Sequence, residues 1–210
     1  MRTLRKGGIL VSNARLAVKD EYNQVFTEPL PGFLSDLFGI TVDDYDVIKG
    51  TENRKIIIRK DSPILAGKEI PPYGWVEALS AIDAETLAFH KGEWLEGKSA
   101  ITRRRYGRGE AIYVGTFLSS DLAVLIVRDF IIKGLIKPVT RLRDAEVEIV
   151  MREGKDFCLL FVINHADRPK KIKMPLQRSF TVESFNGKIS ETDILTINLE
   201  ADDVKVYILR

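Results

Sequence analysis

The chain's imidazoles and thiol come first, because they are the groups most often recruited for metal binding or nucleophilic attack. His90 and His165 are the only histidines and Cys158 the only cysteine, too few for a His-rich metal site or an intramolecular disulfide framework. Cys158 sits in the apolar run Phe157-Cys158-Leu159-Leu160-Phe161, where a buried structural thiol is expected rather than an activated one. Asp43-Asp44-Tyr45-Asp46 offers oxygen ligands but lacks the spaced acidic loop and closing glutamate of a calcium site, so it reads as a solvated turn. No Gly-x-Ser-x-Gly elbow, phosphate-binding loop or dinucleotide fingerprint occurs. No cofactor or metal is implied.

Two further constellations could bind rather than react. Arg103-Arg104-Arg105-Tyr106-Gly107-Arg108 could meet phosphates and bases, yet 32 basic against 30 acidic residues leave a net charge of only +2. That balance argues against a dedicated nucleic-acid binder, and the run reads better as two strands around a Tyr-Gly-x-Gly turn. Tyr73, Trp75, Phe89 and Trp94 cluster after the stiff pair Pro71-Pro72. Flat apolar rings suit sugars, so Trp75 and Trp94 are candidate sugar contacts, although aromatics are equally core formers.

These residues are carried by two regions of different period. Up to about residue 138, short apolar runs (Ile9-Leu10-Val11, Ile56-Ile57-Ile58, Ala111 to Val114) alternate with helical ones (Phe33 to Leu37, Ser120 to Leu135), which predicts an α/β domain. Gly7-Gly8 before a wholly apolar run predicts a buried parallel strand. Lys137-Pro138-Val139-Thr140 is the expected joint. From 142 to 210, Val147 to Met151, Phe157 to Ile163, Thr192 to Leu199 and Val204 to Leu209 alternate with turns such as Asn186-Gly187, predicting a small antiparallel β-sandwich.

The helix from about Ser120 to Leu135 is apolar almost all round, with a polar stripe of Asp121, Arg128, Asp129 and Lys133. An ordinary surface helix carries an apolar stripe a little over 100° wide. The excess wants cover beyond one sheet face, which makes Val124 and Ile131 candidate subunit-interface residues. No apolar run approaches the length of a transmembrane helix, and Arg15 interrupts the stretch after the basic Met1 to Lys6 too early for a secretory core. A cytoplasmic protein that binds neither membrane nor nucleic acid is expected. Charged residues make up 30%, with glutamine only at Gln24 and Gln177, a bias shared with thermophile proteins.

An ordered series of segments carries a resemblance. Gly7-Gly8-Ile9-Leu10-Val11 with Lys19-Asp20-Glu21, Pro31-Gly32-Phe33 through Gly39-Ile40, Trp75-Val76-Glu77, Leu87-Ala88-Phe89, the run from Thr102 to Thr116, and finally Val147 to Arg152 with Phe161-Val162-Ile163-Asn164-His165 come in order. Together they resemble the part of glycoside hydrolase family 42 β-galactosidases that follows the catalytic barrel. The resemblance implies a flavodoxin-like or glutamine-amidotransferase-like trimerisation domain over residues 1–138, truncated at its start, followed by the family's small β domain. It also implies self-association, a trimer ahead of a dimer, alongside a catalytic barrel that could be separately encoded. Retaining glycosidases use two carboxyl groups about 5 Å apart. The family's Asn-Glu pair is absent here, so no catalytic residue carries over. A non-catalytic assembly part of a β-galactosidase is the expected function, ahead of an independent carbohydrate-binding or sugar-sensing module and of a small hydrolase.

Overall fold

The computed structural model describes residues 2–48, 53–135, 139–140, 142–184, 187 and 189–210. The chain divides into two compact units, Met1–Leu135 and Ile136–Arg210. Of the expected joint, Lys137 and Pro138 lie outside the described residues.

The N-terminal unit contains α1 (Arg2–Arg5), β1 (Ile9–Asn13), a 3-10 turn Gly32–Leu34 running into α2 (Ser35–Phe38), β2 (Ile40–Val47), β3 (Lys55–Ile58), β4 (Glu69–Ile70), β5 (Trp75–Ala81), β6 (Glu85–Lys91), β7 (Ser99–Tyr106), β8 (Gly109–Val114) and α3 (Ser120–Ile132). Its eight strands form one sheet ordered β1-β8-β7-β6-β3-β4, onto which β5 and its partner β2 are joined through β7. Among the described residues only β1 and β8 pair in parallel, Ile9 opposite Glu110; the other pairs are antiparallel. Strand makes up 48% and helix 14%, so the expected α/β alternation holds only in part: the unit is mostly β, with a single long helix at Ser120–Ile132 among the described residues. The segments between the apolar runs are mostly further strands, and a short apolar run bounded by turns looks the same in a parallel and in a fully covered antiparallel sheet. The strand after Gly7-Gly8 is parallel, but it lies at the sheet edge and is only half-buried.

Both sheet faces are covered, which explains the unbroken apolar runs. On β8, Ile112 and Val114 join Ile56, Ile58, Leu87 and Ile101 beneath α3, while the alternate residues Ala111 and Tyr113 join Leu37, Phe38, Ile40 and Leu79. This is the period-2 division of a strand between two cores. The β7–β8 hairpin turns at Gly107, whose φ of 64° suits glycine. A Cβ at Gly109 would run into the carbonyl oxygens of Gly8 and Leu4. Asp43 to Asp46 is not the expected solvated turn: it lies in β2, where the register against β5 shifts between Val42 and Asp44. A bulge of this kind lets polar residues occupy a strand without breaking its pairing.

The C-terminal unit contains β9 (Val147–Glu153), β10 (Cys158–Asn164), β11 (Lys170–Ser184), β12 (Ile189–Leu199) and β13 (Val204–Leu209). In place of two stacked sheets, one curled sheet ordered β12-β11-β13-β10-β9 encloses the core of Leu160, Val162, Ile172, Met174, Val182, Ile197, Leu199 and Leu209. A register shift between Pro175 and Phe180 lets the long β11 pair with β12 along most of its length and with β13 only at Val182–Ser184. Cys158 is half-buried at the start of β10, not fully buried as expected. Asn186 of the expected tight turn lies outside the described residues; Gly187 has φ 75°.

Candidate assembly interface

The helix α3 starts where Ser119 accepts a hydrogen bond from the Leu122 amide at 3.2 Å, with Asp121 in the first turn. An N-cap hydroxyl and an early acid each satisfy the unpaired N–H groups and positive dipole of a helix start. Gly134 follows the last turn with φ 70°, the left-handed stop that glycine supplies. Lys133 pairs with Asp129 one turn earlier at 2.6 Å.

Helical geometry then splits the apolar residues in two. Leu122, Ile126 and Phe130 are buried against the sheet. On the opposite side Val124, Val127 and Ile131 stay 49%, 47% and 37% exposed; Ile132 at the helix end is 83% exposed and Leu135, beyond the Gly134 stop, 54%. The spacing of three and four residues places Val124, Val127 and Ile131 on one face. Covering the exposed half of each would stabilise by roughly 1 kcal/mol per residue. The candidates Val124 and Ile131 therefore stand on one stripe, with Val127 joining them.

The aromatic candidates have different immediate neighbours. The Trp75 ring lies 5.6 Å from that of Tyr45, and the Arg15 guanidinium sits 4.8 Å and 4.3 Å from the two ring centroids. A cation over the ring occupies the surface a sugar would need. Trp94 is about half exposed, on the 3-10 turn Glu93–Leu95. The Arg54 guanidinium, the Val47 amide and Trp94 hold the Asp46 carboxyl below its usual range. Arg54, whose side chain is nearly buried, bonds Asp46 at 2.9 Å and also Glu93.

A buried acid is the feature that sequence reading missed. Glu77 is fully buried in β5 and accepts from the Arg15 amide at 2.9 Å and the Tyr113 hydroxyl at 2.7 Å. Burial, then the Glu77 charge, pushes the Tyr113 hydroxyl well above its ordinary pKa. His90 Nε2 donates to the Glu77 carbonyl oxygen at 3.0 Å, and burial depresses the ring's pKa. The signal was an acid inside Trp75-Val76-Glu77-Ala78-Leu79, an otherwise apolar strand. These groups anchor the segment after β1, where Arg15 and Ala17 take positive φ values, to the sheet.

Two arginines of the basic run are paired within the fold. Arg103 reaches Glu85 at 2.7 Å and Glu110 at 3.2 Å, and Arg104 pairs with Asp83. His165 follows β10 and meets Glu148 at 2.9 Å. Among the described residues no group of three or more His, Cys, Asp or Glu could hold a metal ion, and no helix is long and apolar enough to cross a membrane.

Comparison with known proteins places this arrangement. A Geobacillus β-galactosidase is 31% identical over 169 residues, covering 80% of this chain and 24% of its own length. A Heyndrickxia coagulans β-galactosidase is 26% identical over 206 residues, covering 97% and 28%. The chain thus spans about a quarter of the length of these relatives. The crystal structure of a Bacillus circulans β-galactosidase shares the fold with TM-score 0.78 at 22% identity, over 100% of this chain and 30% of that one. That of a cold-adapted Rahnella β-galactosidase does so with TM-score 0.72 at 16% identity, over 99% and 29%. Residues 2–136 match the profile of the β-galactosidase trimerisation domain. Since that match takes in more than half of the chain, the protein belongs to this trimerisation-domain family of the family 42 β-galactosidases.

Proposed function

We propose that this chain is a non-catalytic assembly part of a family 42 β-galactosidase, acting in carbohydrate metabolism in the cytoplasm. The observation that carries the reading is the exposed stripe Val124, Val127 and Ile131 on a helix whose other face is already packed. A monomer has no use for such a stripe, whereas a symmetric oligomer buries it. The matched profile favours a trimer ahead of a dimer. Residues 1–138 form the assembly domain and 142–210 a small β domain, and the catalytic barrel is supplied elsewhere in the same polypeptide or separately encoded. The relatives are β-galactosidases, which makes the intact assembly's substrate a β-galactoside.

Light scattering tests the reading. The expected mass is three times the 23.8 kDa of one chain. Val124→Asp and Ile131→Asp are expected to lower it to the single-chain value without loss of circular dichroism, because both side chains face outward. A wild-type monomer with its fold intact at micromolar concentration would refute the assembly role for this chain.

A further inference from the structure

A closed trimer cannot be built from one self-complementary stripe. A patch that meets its own copy gives a two-fold dimer, whereas a three-fold ring needs two unlike faces on every protomer, each fitting the other. The N-terminal unit carries a second exposed apolar patch whose shape and charge complement the first.

That patch is built by the segment after β1. The Asp20 carboxylate accepts from the amides of Tyr22 (2.9 Å) and Gln24 (2.8 Å), and the Asp20 amide donates to the Gln24 carbonyl (2.9 Å). This fixes a tight turn with Tyr22 at its tip. Phe26 and Phe33 meet edge to face with centroids 5.7 Å apart. Between the turn and these rings lies a hollow of about 530 Å³ lined by Lys19, Asp20, Glu21, Tyr22, Phe26 and Phe33. Tyr22 and Phe33 are 76% and 69% exposed, more than any residue of the α3 stripe.

We infer that the α3 stripe of one copy seats in this hollow on the next copy, in a head-to-tail interface that closes after three. The inference rests on the assembly reading above and specifies its geometry. One face is a convex helix edge and the other a concave aromatic hollow, so apolar knobs have a place to go. Charge agrees with shape. Arg128 is exposed beside the stripe, and Glu21 is exposed in the lining of the hollow; among the described residues neither has an ion-pair partner. Opposite charges across a rim select partner and register.

Cross-linking decides the matter. In a Cys158→Ser background of the whole chain, Val127→Cys combined with Tyr22→Cys or with Phe33→Cys is treated with a short bis-maleimide. The expected product is a ladder ending at covalent trimer for at least one pair, while each single-cysteine variant stays monomeric on a denaturing gel. Arg128→Glu is expected to raise the concentration at which the oligomer dissociates about tenfold, the equivalent of one good rim pair, and Glu21→Arg in the same chain to restore it. Dimers from Val127→Cys alone would overturn the inference in favour of helix-to-helix packing. A wild-type trimer in which neither pair cross-links beyond its single-cysteine controls would overturn it while leaving the assembly role intact; a wild-type monomer would remove both.

Discussion

Removing one oxygen, in Tyr113→Phe, tests whether the buried Glu77 is held as the geometry requires. Glu77 is fully buried and its carboxylate accepts from two neutral donors, the Tyr113 hydroxyl and the Arg15 amide. A hydrogen bond to a charged acceptor contributes about 1.5–3 kcal/mol, and a buried acceptor stripped of its donor keeps its desolvation cost. The ring itself stays, so packing against Phe38, at 5.3 Å between centroids, is retained. The expected loss is therefore about 2–3 kcal/mol. With a urea m-value of roughly 1.5 kcal/mol/M, the midpoint falls by about 1–2 M. The two tryptophans, Trp75 and Trp94, both lie in the N-terminal unit, so tryptophan emission follows that unit alone. Glu77→Gln in the same background should recover part of the loss, since it leaves no charge to stabilise. A Tyr113→Phe midpoint within about 0.3 M of wild type, equal to about 0.5 kcal/mol at that m-value, would refute the account.

The raised Tyr113 pKa also sets an alkaline limit: the unfolded chain loses this proton near pH 10 while the folded one retains it, so stability present below pH 10 falls above it, and less steeply in Tyr113→Phe. The depressed His90 pKa works in the acid direction, because the unfolded ring takes up a proton near 6.5 and the folded ring resists. Stability present above that pH is lost as pH falls through the folded value, and His90→Gln should flatten this acid slope in tryptophan-detected unfolding. Ser119→Ala removes the α3 cap and is expected to cost about 1 kcal/mol, read as a lower urea midpoint. Hydrolysis of an aryl β-galactoside by the isolated chain is expected to stay at the uncatalysed rate; turnover that co-purifies with the polypeptide would refute the non-catalytic reading.

What could be read from sequence depended on whether a residue's surroundings are local. The apolar runs at Ile56 to Ile58 and Ala111 to Val114 become β3 and β8, and Val147 to Met151 and Val204 to Leu209 become β9 and β13, because each run is bounded by its own turn residues. The long β11 escaped notice since Lys170, Lys171 and Lys173 alternate with Ile172 and Met174 and a proline interrupts it. Its pairing is set by β12, and by β13 at its far end. Glu77 was invisible as a buried group for the same reason: its partners Arg15 and Tyr113 lie 62 and 36 residues away.

The helix α3 shows how a correct pattern can still leave its meaning open. Its nearly continuous apolar circumference fits an internal helix and an interface helix equally well. Only the sheet decides, by burying Leu122, Ile126 and Phe130 and drawing Leu125 partly against the same core. What is left is a stripe along Val124, Val127 and Ile131, whose exposure tertiary packing has not removed. Helical periodicity places the two sets on opposite sides, and the number of sheet faces available to the helix determines which set remains for another copy. The same division predicts opposite responses to charge. Ile126→Asp should unfold the N-terminal unit, because the charge enters the core between β8 and the helix, whereas Ile131→Asp should leave the unit folded and change only its association. Equal loss of tryptophan-detected stability in the two variants would place Ile131 in the internal core and withdraw the stripe as an interface.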